Sequence, residues 1–169
     1  MDEGAEKMNK LPPSGNKYRN EKVIVDGYKF DSKAEAAYYL KLRDEGHSFM
    51  PLAGKYVAMQ KFIPIQSAVT LVTGEKVQAV RYKADFVFYD GPNIVKVVDV
   101  KGYQDSESQL KMKMFAKEYG YPVIFAKYDH RKGTFEEMSC FESLRRQNQR
   151  AKKRREKKLE AKTKSRAGK

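Results

Sequence analysis

Apolar and polar side chains alternate along Lys83-Ala84-Asp85-Phe86-Val87-Phe88-Tyr89 and again along Val95-Lys96-Val97-Val98-Asp99-Val100-Lys101-Gly102. Such a period predicts two strands, and Asp90-Gly91-Pro92-Asn93 between them predicts the turn of a hairpin. Upstream, Val23-Ile24-Val25 and Tyr28-Lys29-Phe30 flank Asp26-Gly27 and read as a smaller hairpin. Asp31-Ser32 then opens a helix: Ser32-Lys33-Ala34-Glu35 fits a capping box, and Gly46 is its stop. Val57, Met59, Ile63 and Ile65 predict a strand that is bent or placed at an edge by Pro64. Val69 to Val72 extends it or makes a strand of its own, and Thr73-Gly74-Glu75-Lys76 turns the chain back. A second helix is expected from about Glu107 to Tyr119, ended by Gly120, with Leu110, Met114, Phe115 and Tyr119 toward the core. The last strand is expected over Tyr121 to Tyr128, so that a strand–helix–strand unit predicts a parallel pair. From Phe141 onward the residues favour helix but offer almost no apolar face, which predicts helix only on binding.

Charges inside the central hairpin change this picture. Successive strand side chains point to opposite faces, so Asp99 and Lys101 share one face while Val98 and Val100 share the other. If the strands pair so that Asp85 approaches Asp99, two carboxylates and an ammonium converge. Such a pair is unfavourable unless a proton or a divalent cation lies between the groups, and hard oxygen ligands suit Mg²⁺. The plainer alternative is a solvated edge strand whose charges discourage aggregation. Glu35 likewise has two readings, which are compatible: the reciprocal partner of a capping box, or a third acidic group brought to the Asp85–Asp99 face. Gln60 either reaches that face or simply decorates its strand.

Composition bounds the rest. A chain of 169 residues fits one domain with tails: an arm over 1–16, a domain over 17–140 and a basic tail over 141–169. The single cysteine, Cys140, excludes an internal disulfide framework and fits a reducing, intracellular compartment. Neither a signal-peptide pattern nor an apolar run of membrane-spanning length is evident, so an unsecreted, cytoplasmic protein is expected. His47, His130 and Cys140 lack zinc-ligand spacing, and G-x-S-x-G, P-loop and G-x-G-x-x-G motifs are absent, which leaves nucleophilic serine or cysteine catalysis without support. Net charge is +13, and Arg145 to Lys169 carries 13 Lys or Arg against two acids, Glu156 and Glu160. The body is therefore nearly neutral and the tail basic, as in nucleic-acid-binding arms or localisation signals. Candidate nucleic-acid contacts are Lys17, Arg19, Lys33, Lys83, Lys111, Lys113, Arg145, Arg146, Arg150, Lys152, Lys153, Arg154 and Arg155.

The order Glu35, then Asp85, then Asp99-Val100-Lys101 resembles the PD-(D/E)XK nuclease superfamily. Phe30-Asp31-Ser32-Lys33-Ala34-Glu35-Ala36, Tyr82-Lys83-Ala84-Asp85-Phe86 and Val98-Asp99-Val100-Lys101-Gly102 are similar to a phage-associated branch of it, across roughly Asn16 to Tyr128. One departure is Ala84, which stands where the superfamily's name has proline. The resemblance implies a mixed α/β fold, with a central sheet of αβββαβ order flanked by helices. It implies hydrolysis of DNA phosphodiester bonds. Asp85 and Asp99, with the Val100 carbonyl, would ligate Mg²⁺ or Mn²⁺; Glu35 would act through a second metal or a water; Lys101 would orient or deprotonate the attacking water. It further implies a homodimer acting on branched DNA, with Holliday-junction resolution as the leading version, in a phage-infected host cell. The alternatives are a flap or single-strand nickase, and a non-catalytic nucleic-acid-binding protein acting through its basic tail.

Overall fold

The capping box at Ser32 forms. In a computed structural model that describes residues 22–51, 54–100 and 103–167, Ser32 is the N-cap of helix α1 (Lys33–Asp44), and its hydroxyl accepts from the Glu35 amide. Gly46, at φ +83°, follows the C-cap in the left-handed region that glycine enters at least cost. Ahead of α1, β1 (Val23–Val25) and β2 (Tyr28–Phe30) pair across Asp26-Gly27. Behind it run β3 (Lys55–Gln66), the short pair β4 (Val69–Thr70) and β5 (Lys76–Val77), β6 (Val80–Asp90) and β7 (Asn93–Val100). Helix α2 (Ser106–Tyr119), β8 (Ile124–Asp129), β9 (Thr134–Ser139) and α3 (Cys140–Ala167) complete the chain.

Five strands make one mixed sheet in the order β3-β6-β7-β8-β9. Every neighbouring pair is antiparallel except β7 and β8, which run parallel on either side of α2 in the sequence. The expected bend at Pro64 is a register irregularity between Pro64 and Gln66. One face of the sheet packs Ile63, Val87, Val97 and Phe125 against Met112 and Phe115 of α2. The other packs Val57, Phe86, Phe88 and Val98 against Ala36, Tyr38, Tyr39 and Leu42 of α1. Helices thus cover both faces, as the mixed α/β reading requires.

Three features differ from expectation. Leu110 is exposed, and Met112 takes the inward position beside Phe115: Ser108, Met112, Phe115 and Tyr119 make one helical stripe, and Leu110 lies on its far side. The strand β9 is a second difference, since Thr134-Phe135-Glu136-Glu137-Met138-Ser139 is too polar to read as one. It lies at the sheet edge, where Glu137 accepts from Tyr38 and pairs with Lys96. Finally, α3 is a helix from Cys140 onward and its first turns are docked. Cys140 is buried, Phe141 packs on the α2-side core, and the Gln104 amide group donates to the Cys140 carbonyl at 2.7 Å. From Asn148 to Ala161 α3 is exposed on every side. Among the described residues no helix is long and apolar enough to cross a membrane.

Candidate active site

Asp85 sits where strand β6 changes faces. Tyr82 and Ala84 belong to the α2-side core, whereas Phe86 and Phe88 belong to the α1-side core. Opposite this point on β3, Gln60 has φ +49° and sends its amide to the Lys29 carbonyl at 3.0 Å; it supports the β2 segment and does not join the acidic group. The β6–β7 ladder begins at Phe86 and Val98. One step further, the Val100 amide donates to Asp85 Oδ2 at 2.8 Å in place of a backbone partner. Register then brings Asp99 alongside, and the Asp85 and Asp99 carboxyls lie within hydrogen-bond reach of each other.

The electrostatics follow from that contact. Burial pushes the Asp85 carboxyl up, the charges of Asp99 and Glu35 push it further, and the Val100 amide offsets only part of this, leaving it at about 8. Near neutrality Asp85 therefore tends to keep its proton beside Asp99. Tyr82, inward on β6, donates its hydroxyl to Asp99 Oδ2 at 2.7 Å. Its own ionisation is pushed well above the phenol range by burial and by Asp99. Glu35, 8 % exposed, enters from the first turn of α1. Its Oε1 accepts from the Ser32 hydroxyl at 2.8 Å and its Oε2 from the Asp31 amide at 3.2 Å. Burial raises the Glu35 carboxyl, against the pull of those two donors. Glu35 is therefore both cap and third acid: it is tied to α1, yet near enough for its charge to act on Asp85.

The donor set fits a hard divalent cation. Two carboxylates pressed together in partial burial repel unless a proton or cation lies between them, and Mg²⁺ is commonly held by one or two carboxylates with water completing the shell. Among the described residues, no three His, Cys, Asp or Glu side chains gather closely enough to hold a metal ion. The grouping is thus the aspartate pair, with Glu35 acting at longer range.

The other candidates fall in several places. Lys101, Lys17 and Arg19 lie outside the described residues. Lys83 is paired with Asp31 at 2.9 Å and Lys111 with Glu107 at 2.7 Å. Lys33 and Lys113 are exposed on α1 and α2. Arg145, Arg150, Lys152, Lys153, Arg154 and Arg155 are exposed on α3, whereas Arg146 is held by Glu136 and Glu142. Two polar residues escaped sequence reasoning. Tyr82 carried a signal, since a tyrosine in a buried strand needs a partner for its hydroxyl. Gln104, 1 % exposed in the connection after β7, carried none.

Fold and site together define a mixed α/β domain with an aspartate pair set where two central strands part. Over residues 15–135 the sequence matches a family described as Protein of unknown function (DUF1064), and the chain belongs to that family. No curated protein and no solved structure matches it.

Proposed function

We propose that the protein is a metal-dependent endodeoxyribonuclease of the PD-(D/E)XK type that acts on branched DNA. The observation that carries this reading is the Asp85–Asp99 contact beneath a buried Glu35. Supporting it is the succession α1, β3, β6, β7, α2, β8 through the main sheet, which fits the αβββαβ order of that superfamily once the β4–β5 pair is set aside.

Asp85, Asp99 and the Val100 carbonyl would hold Mg²⁺ or Mn²⁺. When bound, such an ion lowers the pKa of a water and offsets charge on the phosphate. The chain's own residues prepare the site. The Val100 amide fixes one oxygen of Asp85, and the Tyr82 hydroxyl fixes one oxygen of Asp99. Such outer partners orient ligating carboxylates and keep them from turning away. Glu35, held by Ser32 and the Asp31 amide and near enough for its charge to act on Asp85, can accept a proton from water. Lys101, two residues beyond Asp99, has the role of positioning the nucleophilic water and stabilising charge that develops on phosphate. A homodimer would place two such sites on the two-fold-related strands of a junction.

The decisive experiment is a cleavage panel of Holliday junction, flap, fork, single-stranded and duplex DNA with Mg²⁺. Wild type should cut a branched substrate, and Asp85→Asn and Asp99→Asn should abolish cutting while retaining DNA binding. Normal turnover by Asp99→Asn would sink the assignment. Binding without cleavage by wild type on every substrate would favour a non-catalytic role for the basic helix.

A further inference from the structure

A groove of about 670 Å³ lies between the β8–β9 hairpin and α3, at the end of the sheet toward which β7 runs past Asp99. Its position is set by the parallel register. Asp99 pairs with Phe125 and Val100 with Ala126, so Lys127 at the groove wall follows directly beside the end of β7. Tyr103, three residues beyond Val100, forms another part of the lining and is 59 % exposed. The α3 wall is fastened to this end of the sheet. Gln147 accepts from the Gln104 amide at 3.0 Å and donates to the Gln104 carbonyl at 2.9 Å.

The chemistry of the lining is that of a nucleic-acid strand site. Its acids are already engaged: Asp129 accepts from the Arg131 and Lys132 amides, and Glu136 is paired with Arg146. Its remaining cations are not. Lys127, Arg131, Arg150 and Arg154 are exposed, and their side chains form no ion pair among the described residues. Arg146, Arg150 and Arg154 stand four residues apart along one side of α3, a rise of about 6 Å per step, which is close to the separation of successive phosphates on a strand. Its volume of about 670 Å³ is of the size that a short run of unpaired strand fills. Cations along a backbone track with an aromatic ring beside them are the usual means of holding single strands.

We propose that this groove binds single-stranded nucleic acid, with a base stacked on Tyr103 and phosphates on Lys127, Arg150 and Arg154. The proposal rests on the nuclease reading for what becomes of the strand, and on the groove alone for its capture. It makes the substrate a DNA with an unpaired segment next to the cut.

The test uses the full chain with Asp99→Asn, so that bound DNA stays intact. The chain contains no tryptophan, so Tyr103→Trp places a sole reporter in the groove. Oligo-dT should quench its fluorescence, and a duplex of equal length should quench it much less. In anisotropy titrations Tyr103→Ala should bind oligo-dT about ten-fold more weakly, and Tyr103→Phe should bind as before. Arg150→Glu with Arg154→Glu should cost at least ten-fold more than Lys152→Glu with Arg155→Glu, whose side chains do not line the groove. Absent quenching despite binding, or equal losses from the two charge reversals, would overturn the groove and reduce α3 to a general cationic arm. Failure of the nuclease reading looks different: wild type would cut nothing, while oligo-dT binding kept its dependence on the groove.

Discussion

The carboxyl of Asp85 ties folding to pH. Burial and the neighbouring Asp99 and Glu35 raise it to about 8 in the folded chain, whereas an unfolded aspartate titrates near 4. A raised acid contributes stability that is fully present below the unfolded pKa and is lost as pH rises through the folded one. Without divalent cations, Tm should therefore fall between pH 5 and 8, and Asp85→Asn should flatten that slope. Mg²⁺ added at pH 8 should restore much of the loss, because the cation stands in for the proton that Asp85 gives up. A metal-free protein equally stable at both pH values would refute the buried pair. Glu35 separates structure from chemistry at the same scale. Glu35→Gln keeps one carbonyl acceptor for the cap and should cost about 1 kcal/mol, as loss of a cap interaction does. It should nonetheless cut DNA orders of magnitude more slowly than wild type. Matched melting curves and rates on one sample decide this, and full activity would leave Glu35 as a cap alone.

At the scale of elements, the helix boundaries were legible because their signals are local. Ser32 caps, and Gly46 and Gly120 stop, since each acts on backbone groups within one turn; the Asp105 cap of α2 came only with the structure. The central hairpin was legible for the same reason: Asp90-Gly91-Pro92-Asn93 and the alternation on both sides set its pairing. The docking of α3 was not legible, because it depends on the Gln104–Gln147 amide pair, 43 residues apart in sequence. Breaking that latch has a measurable cost. Gln147→Ala leaves the Gln104 amide without its side-chain acceptor and the carbonyl with only the long bond from Gln109 at 3.4 Å, and should destabilise the protein by about 1–3 kcal/mol. Faster hydrogen exchange should appear in the first turns of α3 and in the 103–105 segment. Unchanged exchange there would mean that packing of Cys140 and Phe141 alone seats the helix.

For the molecule as a whole, charge and fold are divided along α3. The basic segment begins within a docked helix, so a truncation must spare the turns that pack. Ending the chain after Arg150 keeps Gln147 and Phe141 and removes ten Lys or Arg. Tm should change little, since residues 151–161 bury no side chain. If about five of those cations meet phosphates, the log–log salt dependence of duplex binding should flatten by about 4–5. Preference for branched over linear DNA should survive, because phosphate contacts position a protein without specifying its site. An unchanged salt slope would show that the tail does not bind DNA.

By itself the sequence determined the Ser32 cap, the glycine helix stops, the central hairpin, the parallel strand–helix–strand unit and the residues worth suspecting, because periodicity and turn chemistry act over a few positions; the mixed sheet with helices on both faces was what the family resemblance implied. The sequence also located the charge, which is additive and needs no fold. Only the tertiary structure decided that Asp85 and Asp99 come within reach of each other, since this depends on where the β6–β7 ladder ends and on the change of face at Asp85. It alone supplied Tyr82 to Asp99, Gln104 to α3 and the polar edge strand β9. Each of these unites groups far apart in the chain, and the loop-closure entropy of bringing them together is offset by cooperative packing of the sheet and its two helical layers.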